Sequence, residues 1–325
     1  MNRVRGFALF IFIFLAALFA AFSVGRFPLT FSELFTPGST LRQVLLQIRL
    51  PRVLAAALVG AGLSTAGTAY QYLFNNPLVS PDILGASAGA SFGAALSIIV
   101  GAPYAMVSFS AFCFGLLAVF AAVVVSFFAK IKATLVLVLA GIITASLFQA
   151  STSYLKLIAD QTNVLPAITY WLMGSLAGVR LGDLAFASLP VCTGLIVLFR
   201  FSLELNIVGM GEDDARALGV NLTVTRVVVI AASTLITAAC VSISGMIGWV
   251  GLIIPHIVRM CVGCDNRVAL PASMLLGAAF LVAVDTAARN LSSSEIPIGI
   301  LTAFIGAPFF VYVMLRRHSK RFSAC

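Results

Sequence analysis

Long apolar stretches separated by short polar segments dominate this 325-residue chain. Most of the stretches are roughly 18 to 25 residues long, the length that an α-helix needs to cross a ~30 Å hydrocarbon layer. Unpaired backbone groups are costly in lipid, and the stretches lack the alternation of barrel strands, so we expect helices. The pattern predicts an all-α, polytopic membrane protein with a single transmembrane domain over residues 1–325. Its ten predicted spans are 7–25, 53–73, 82–100, 104–128, 134–157, 184–200, 226–245, 251–263, 270–289 and 297–315.

The breaks between spans carry their own helix signals. In "NNPLVSPDILG", Ser80 is a candidate N-cap, Pro81 suits the first helical position and Asp82 the first turn. Glu295 stands in a similar place in "SSSEIPIG". We therefore expect Asp82 and Glu295 to complement helix dipoles. The stretch "LPAITYWLMGSLAG", residues 165–178, is too short to cross and is expected to form a surface or re-entrant helix.

Composition and charge strengthen the membrane interpretation. Hydrophobic residues make up 61% of the chain and charged residues 10%, which leaves too little polar surface for a soluble protein of this size. The net charge of +9 fits orientation signals that face an anionic cytoplasmic leaflet, so we expect contact with lipid and none with nucleic acid. With both termini cytoplasmic, most lysines and arginines lie inside. Arg49 and Arg52, in "QIRLPR", then lie outside, against that rule.

Candidates for catalysis and metal binding are sparse. His256 precedes Cys261 and Cys264, but a zinc site normally needs four ligands, and the sequence offers no second cysteine pair for them. The segment "GAGLSTAG", residues 60–67, lacks the lysine of a phosphate-binding loop, and its small residues suit close helix packing. We therefore expect no catalytic residue, no bound metal and no cofactor in this chain.

Polar residues within the predicted spans bear on transport. Ser64, Thr68 and Gln149 could line a path for a bulky solute, although hydroxyls and amides offer little for coupling to protons or sodium. Asp285 and Arg289 are one helical turn apart near the outer end of a span, where we expect a local ion pair.

The longest predicted cytoplasmic loop, residues 206–226, has a helix pattern of its own. Its "GEDDARALG" predicts a short helix that starts at Gly211 and stops at Gly219, with acidic residues in the first turn. A second short segment is expected to reach Arg226. This loop is either an ordinary solvated connection or a lever that docks on a cytoplasmic partner.

Six stretches of the chain resemble one known family, the iron-chelate and cobalamin uptake permeases of bacterial ABC importers. The resemblance runs from Gln47 onward, in the family's order, through "RLPR", "NPLVSPDILGASAGA", "GEDDARALGV", "GWVGLIIPHIVR", "DNRVALP" and "EIPIGILTAFIGAPFF". It implies a cobalamin-permease-like fold of ten helices in the bacterial inner membrane. It also implies a second permease subunit (the same chain or a sister), two cytoplasmic ATPase subunits that use the ATP, and an extracytoplasmic binding protein.

The resemblance further implies two sets of functional residues. Arginines matching Arg49, Arg52 and Arg289 meet glutamates on the binding protein, whereas the alternative for such interfacial arginines is contact with lipid phosphates. The loop that contacts the ATPases is represented here by Gly211, Glu212, Asp213, Ala215, Arg216, Leu218 and Gly219.

The sequence therefore predicts a non-enzymatic permease subunit of an ABC importer for a metal chelate, with an iron(III)-siderophore as the expected substrate. Haem, cobalamin and molybdate remain open, because a family does not determine the ligand. The alternative from a different class is a self-contained secondary transporter.

Overall fold

The computed structural model of the chain describes residues 3–25, 40–129, 134–292 and 294–316, and these ranges contain helices and no strand. The helices are α1 (Arg3–Ser23), α2 (Leu50–Leu73), α3 (Ala86–Ile99), α4 (Tyr104–Phe128), α5 (Thr134–Ile158), α6 (Val164–Met173), α7 (Leu181–Arg200), α8 (Ser202–Val208), α9 (Glu212–Ala217), α10 (Leu222–Ser244), α11 (Val250–Val262), α12 (Asn266–Asn290) and α13 (Ile298–Arg316).

The all-α, polytopic fold expected from the apolar pattern is confirmed. In the described part of the chain, seven helical segments are long and apolar enough to cross a membrane, and α3, α11 and α13 are shorter apolar helices. Large apolar side chains such as Phe19, Leu157 and Phe304 are exposed, as expected for surfaces that face lipid. The ten residues of α6 span only about 15 Å, which agrees with the prediction that this segment does not cross.

The helix that contains α2 begins earlier than the predicted residue 53. A helical segment, Thr40–Val44, continues through a π-helical segment, Leu45–Arg49, directly into α2. The π geometry stands next to Pro51, which has no backbone N–H to donate to the preceding turn. Arg52 therefore lies well inside a continuous helix, not at the positive end of a helix dipole.

The start of α3 differs from its prediction. Residues 81–84 form a turn, and α3 begins at Ala86 after Gly85, whose φ of 85° is left-handed. The Pro81 ring packs directly against Gly251 of α11, so it belongs to a tertiary contact and not to the first helical turn. The Asp82 carboxylate still accepts a hydrogen bond from the Ser87 backbone N–H at 2.6 Å, so it complements the N-terminus of α3 from outside the helix.

The centre of the molecule is the contact between α2 and α12. A side chain at Gly60 would collide with the Gly277 carbonyl, which shows how closely the two backbones approach. The Ser64 hydroxyl donates to the Ser273 carbonyl at 2.7 Å, and the Thr68 hydroxyl bonds the Ser273 hydroxyl at 2.8 Å. Ser64 and Thr68 are fully buried between helices, so the expectation that they line a solute path is wrong, while Gln149 is exposed on α5.

Candidate functional sites at the two ends of α12

The two sets of residues singled out by the sequence lie at opposite ends of one helix. The 25 residues of α12 extend over about 37 Å, more than the ~30 Å of a hydrocarbon layer. At its start, the Asn266 backbone N–H donates to the Asn206 side chain at 2.7 Å, next to the 206–226 loop. Near its end lies Arg289. One continuous helix therefore connects the two sites.

Arg52 is the centre of the first site. Its Nε donates to Asp285 Oδ1 at 2.8 Å, and its Nη1 donates to both Glu295 carboxylate oxygens at 2.8 and 3.0 Å. Its side chain is only 6% exposed. One guanidinium thus joins α2 to α12 and to the segment that precedes α13, and charge-assisted bonds of this kind are the strong ones.

Arg289 and Arg49 complete an arginine cluster with Arg52. Arg289 Nε lies 3.2 Å from Asp285 Oδ2, which confirms the predicted local ion pair. The Arg49 Nη1 donates to the Phe22 carbonyl at 3.0 Å, and Arg289 lies within reach of the neighbouring carbonyl of α1. These carbonyls belong to the last turn of α1, where the helix dipole is negative, so the two arginines stabilise that helix end.

The structure thus brings the three predicted arginines together but does not leave them open to solvent. Arg49 and Arg52 are buried against their own chain. The expectation that Glu295 complements the dipole of α13 is wrong, because its carboxylate bonds Arg52 and α13 begins only at Ile298. Sequence reasoning missed the Arg52–Glu295 pair, and the only available signal was two opposite charges predicted on the same side.

The second site is the 206–226 loop, whose predicted short helix is confirmed as α9. Gly211 precedes it with a φ of 136°, and Gly219 follows it with a φ of 80°, conformations that favour glycine. Three acids occupy its first turn: Glu212, Asp213 and Asp214. Leu218 is 61% exposed just after the helix, while Ala215 is fully buried and faces the chain's own interior.

One ion pair fastens this loop to α10, and a backbone hydrogen bond closes the turn after α9. Arg226 forms an ion pair with Glu212, which links α9 to α10, and the Val220 N–H donates to the Ala215 carbonyl at 3.0 Å. The expected second short segment is in fact the first turn of α10, which begins at Leu222 after the N-cap Asn221. The loop therefore reaches α10 with no independent element between them.

A second connection joins α8 to the start of α12. The Asn206 amide donates to Asp265 Oδ1 at 2.9 Å and its carbonyl oxygen accepts from the Asn266 N–H. Hydrogen bonds from the Arg267 side chain, and then from Asn206, lower the pKa of Asp265 to about 2, so this carboxylate stays ionised at neutral pH. These contacts bond the loop to the first turns of both α10 and α12.

The described ranges offer no candidate site for metal-ion chemistry. There, no group of three or more His, Cys, Asp or Glu side chains could hold a metal ion.

A family model described as the FecCD transport family matches residues 9–316, nearly the whole chain. The chain belongs to the FecCD transport family. Members of this family are membrane permease subunits of ABC importers, in which ATP hydrolysis belongs to a partner subunit.

Curated relatives of this FecCD permease include three named importers. The molybdate import system permease protein MolB of Haemophilus influenzae is 44% identical over 83% of this chain and 80% of its own length. The cobalamin import system permease protein BtuC of Halobacterium salinarum is 42% identical over 84% of this chain and 73% of its own length. The hemin transport system permease protein HmuU of Yersinia pestis is 33% identical over 97% and 96%.

A solved structure is similar to this FecCD permease over almost its entire length. It is described as a metal-chelate type ABC transporter in an inward-facing conformation, and it is 38% identical with a TM-score of 0.88. The match covers 95% of this chain and 98% of that chain. The arrangement of helices described above is therefore that of an ABC importer permease.

Proposed function

We propose that this permease imports an iron(III)-siderophore across a bacterial inner membrane. In this proposal an extracytoplasmic binding protein docks at the arginine cluster, two ATPase subunits bind the 206–226 loop and use the ATP, and a second permease subunit completes the path. The observation that carries the proposal is the placement of these two sites at opposite ends of α12 in a chain of this family.

The chemistry of each site suits its proposed partner. The arginine cluster concentrates three guanidinium groups against two carboxylates, Asp285 and Glu295, which leaves positive charge for an acidic protein surface. At the other end, exposed Met210 and Leu218 flank α9, and such side chains fit an apolar groove on a partner. The alternative role for the arginines, contact with lipid phosphates, would leave the affinity for the binding protein independent of them and would affect only insertion or stability.

Two substrates are candidates for this permease: a metal chelate and molybdate. Import of a metal chelate is supported by the family and by the solved relative, whereas the 44% identity to MolB specifically favours molybdate. A bulky, neutral or weakly charged chelate and a small oxyanion differ in what the binding protein must recognise. The siderophore remains our proposal, with molybdate as the second candidate.

A panel of uptake measurements tests the substrate. Cells that lack other iron and molybdate importers and express this permease with its ATPase and binding protein should accumulate radiolabelled iron(III)-siderophore. Parallel assays with haem, cobalamin and molybdate should show no competition with it. Uptake of molybdate alone would overturn the siderophore while leaving the importer assignment intact.

A further inference from the structure

Arg52 is held by two carboxylates that differ in how firmly they are fixed. The Asp285 side chain is 1% exposed, lies on α12 and also pairs with Arg289 at 3.2 Å. The Glu295 side chain is 35% exposed and lies in the non-helical segment between α12 and α13. Asp285 is therefore a permanent partner of Arg52, whereas Glu295 can turn into solvent without becoming a buried, unpaired charge itself.

The burial of Arg52 conflicts with direct docking unless something moves. With 6% of its side chain exposed, a carboxylate from another protein cannot reach it while Glu295 occupies its Nη1. Replacing Glu295 by another carboxylate would preserve the number of charge-assisted bonds to Arg52. The displaced Glu295 would return to water, at little cost because one third of it is already exposed.

We propose that Glu295 is an internal placeholder, a carboxylate of the permease that occupies Arg52 until an acidic side chain of the binding protein displaces it. This inference rests on the proposed docking at the arginine cluster. The placeholder keeps Arg52 paired in the resting permease and lowers the resting affinity for the binding protein. The exchange would also make docking selective, because only a binding protein that presents a carboxylate at this point can displace Glu295.

Removing the placeholder should strengthen docking. Glu295→Gln should bind the binding protein about three- to fivefold more tightly than the unmodified permease, because Arg52 is then available without prior release. Dissociation constants would be measured with the complete permease–ATPase assembly in nanodiscs. Unchanged or weaker binding of Glu295→Gln would overturn the placeholder.

Two further variants separate the possible causes. Asp160→Asn removes one negative charge, as Glu295→Gln does, but from an exposed site just before α6. The residue that follows α6, Gly174, contacts the start of α13, since the Ile298 N–H donates to its carbonyl at 2.9 Å. This control should leave the affinity unchanged, and an equal gain in affinity would show that general electrostatics is the cause.

A double variant, Arg52→Gln with Asp285→Asn, removes the buried pair that Glu295 faces. In that background, docking should weaken and Glu295→Gln should have no further effect. Docking that remains unchanged in the double variant would overturn both the arginine docking and the placeholder. Weaker docking of the double variant, combined with no gain from Glu295→Gln in the unmodified background, would overturn the placeholder alone.

Discussion

At the residue scale, the pair between Arg52 and Asp285 has a structural role and, in our proposal, a functional one. Both side chains are almost fully buried, and their 2.8 Å contact compensates two charges that would otherwise be expensive to keep out of water. Removing Arg52 would leave the buried Asp285 with one charged partner, Arg289, in place of two. A simple charge reversal at Arg52 would therefore disturb the fold as well as docking.

Neutral substitutions separate these two roles. Arg52→Gln alone should destabilise the permease by about 1–3 kcal/mol, because Asp285 loses its hydrogen bond from Arg52 but keeps the ion pair with Arg289. Adding Asp285→Asn should restore only part of that stability, because Arg289 then loses its carboxylate partner, and affinity for the binding protein should stay low. Thermal unfolding in nanodiscs measures the change in stability, and a binding assay measures the change in affinity. Arg180→Gln, at an exposed arginine, is the control. Full recovery of affinity in the double variant would contradict a docking role for Arg52.

The sequence identified Arg49 and Arg52 because they stand on the predicted outer side, where basic residues are less common. It could not identify their partners. Asp285 and Glu295 are 233 and 243 residues away from Arg52 in the chain. The local pattern around Glu295 is typical of a helix start. In the structure its carboxylate instead forms a charge-assisted hydrogen bond with the buried Arg52, which is the stronger interaction.

At the scale of elements, α9 is small but well anchored. The Glu212–Arg226 ion pair connects it to α10, and Ala215 packs inward. Leu218 remains exposed at its end, which makes it the apolar residue best placed for a partner. A helix of six residues has little stability alone, so these contacts give α9 the rigidity that a lever needs.

Leu218→Asp tests that lever. A charge placed in an apolar contact with the ATPase should cost about 2 kcal/mol or more, so ATPase association and uptake should both fall. The permease should still insert and bind its binding protein, because Leu218 is exposed in the chain alone. Leu218→Met, which stays apolar, serves as the control. Normal ATP-driven uptake by Leu218→Asp would show that the loop is not the lever.

Helix boundaries show where sequence patterns succeed and fail for elements. The glycines at 211 and 219 mark α9 because their positive φ angles are a local requirement. The start of α3 was misplaced because Pro81 and Asp82 carry helix-start chemistry while forming a turn that packs on α11. Capping signals thus identify a nearby helix end, whereas tertiary packing determines the residue at which the helix begins.

For the whole molecule, the close contact of α2 with α12 unites the two sites. Arg52 and Arg289 lie at one end of these helices, while Tyr72 at the other end of α2 donates to the Cys264 carbonyl at 2.7 Å, beside the start of α12. Glycines 60 and 277 allow the backbones to touch, which couples the helices as one unit. The apolar pattern could predict ten spans but not this pairing, because interhelical contacts depend on which small residues face each other.

The central claim is that this chain transports only as part of an ATP-driven assembly. The most direct measurement is uptake of radiolabelled iron(III)-siderophore by proteoliposomes that contain the permease with its ATPase subunits, supplied with the binding protein. The account predicts uptake that requires ATP, the ATPase subunits and the binding protein together. Uptake by the permease alone, driven by an imposed proton or sodium gradient, would contradict it and would identify a secondary transporter.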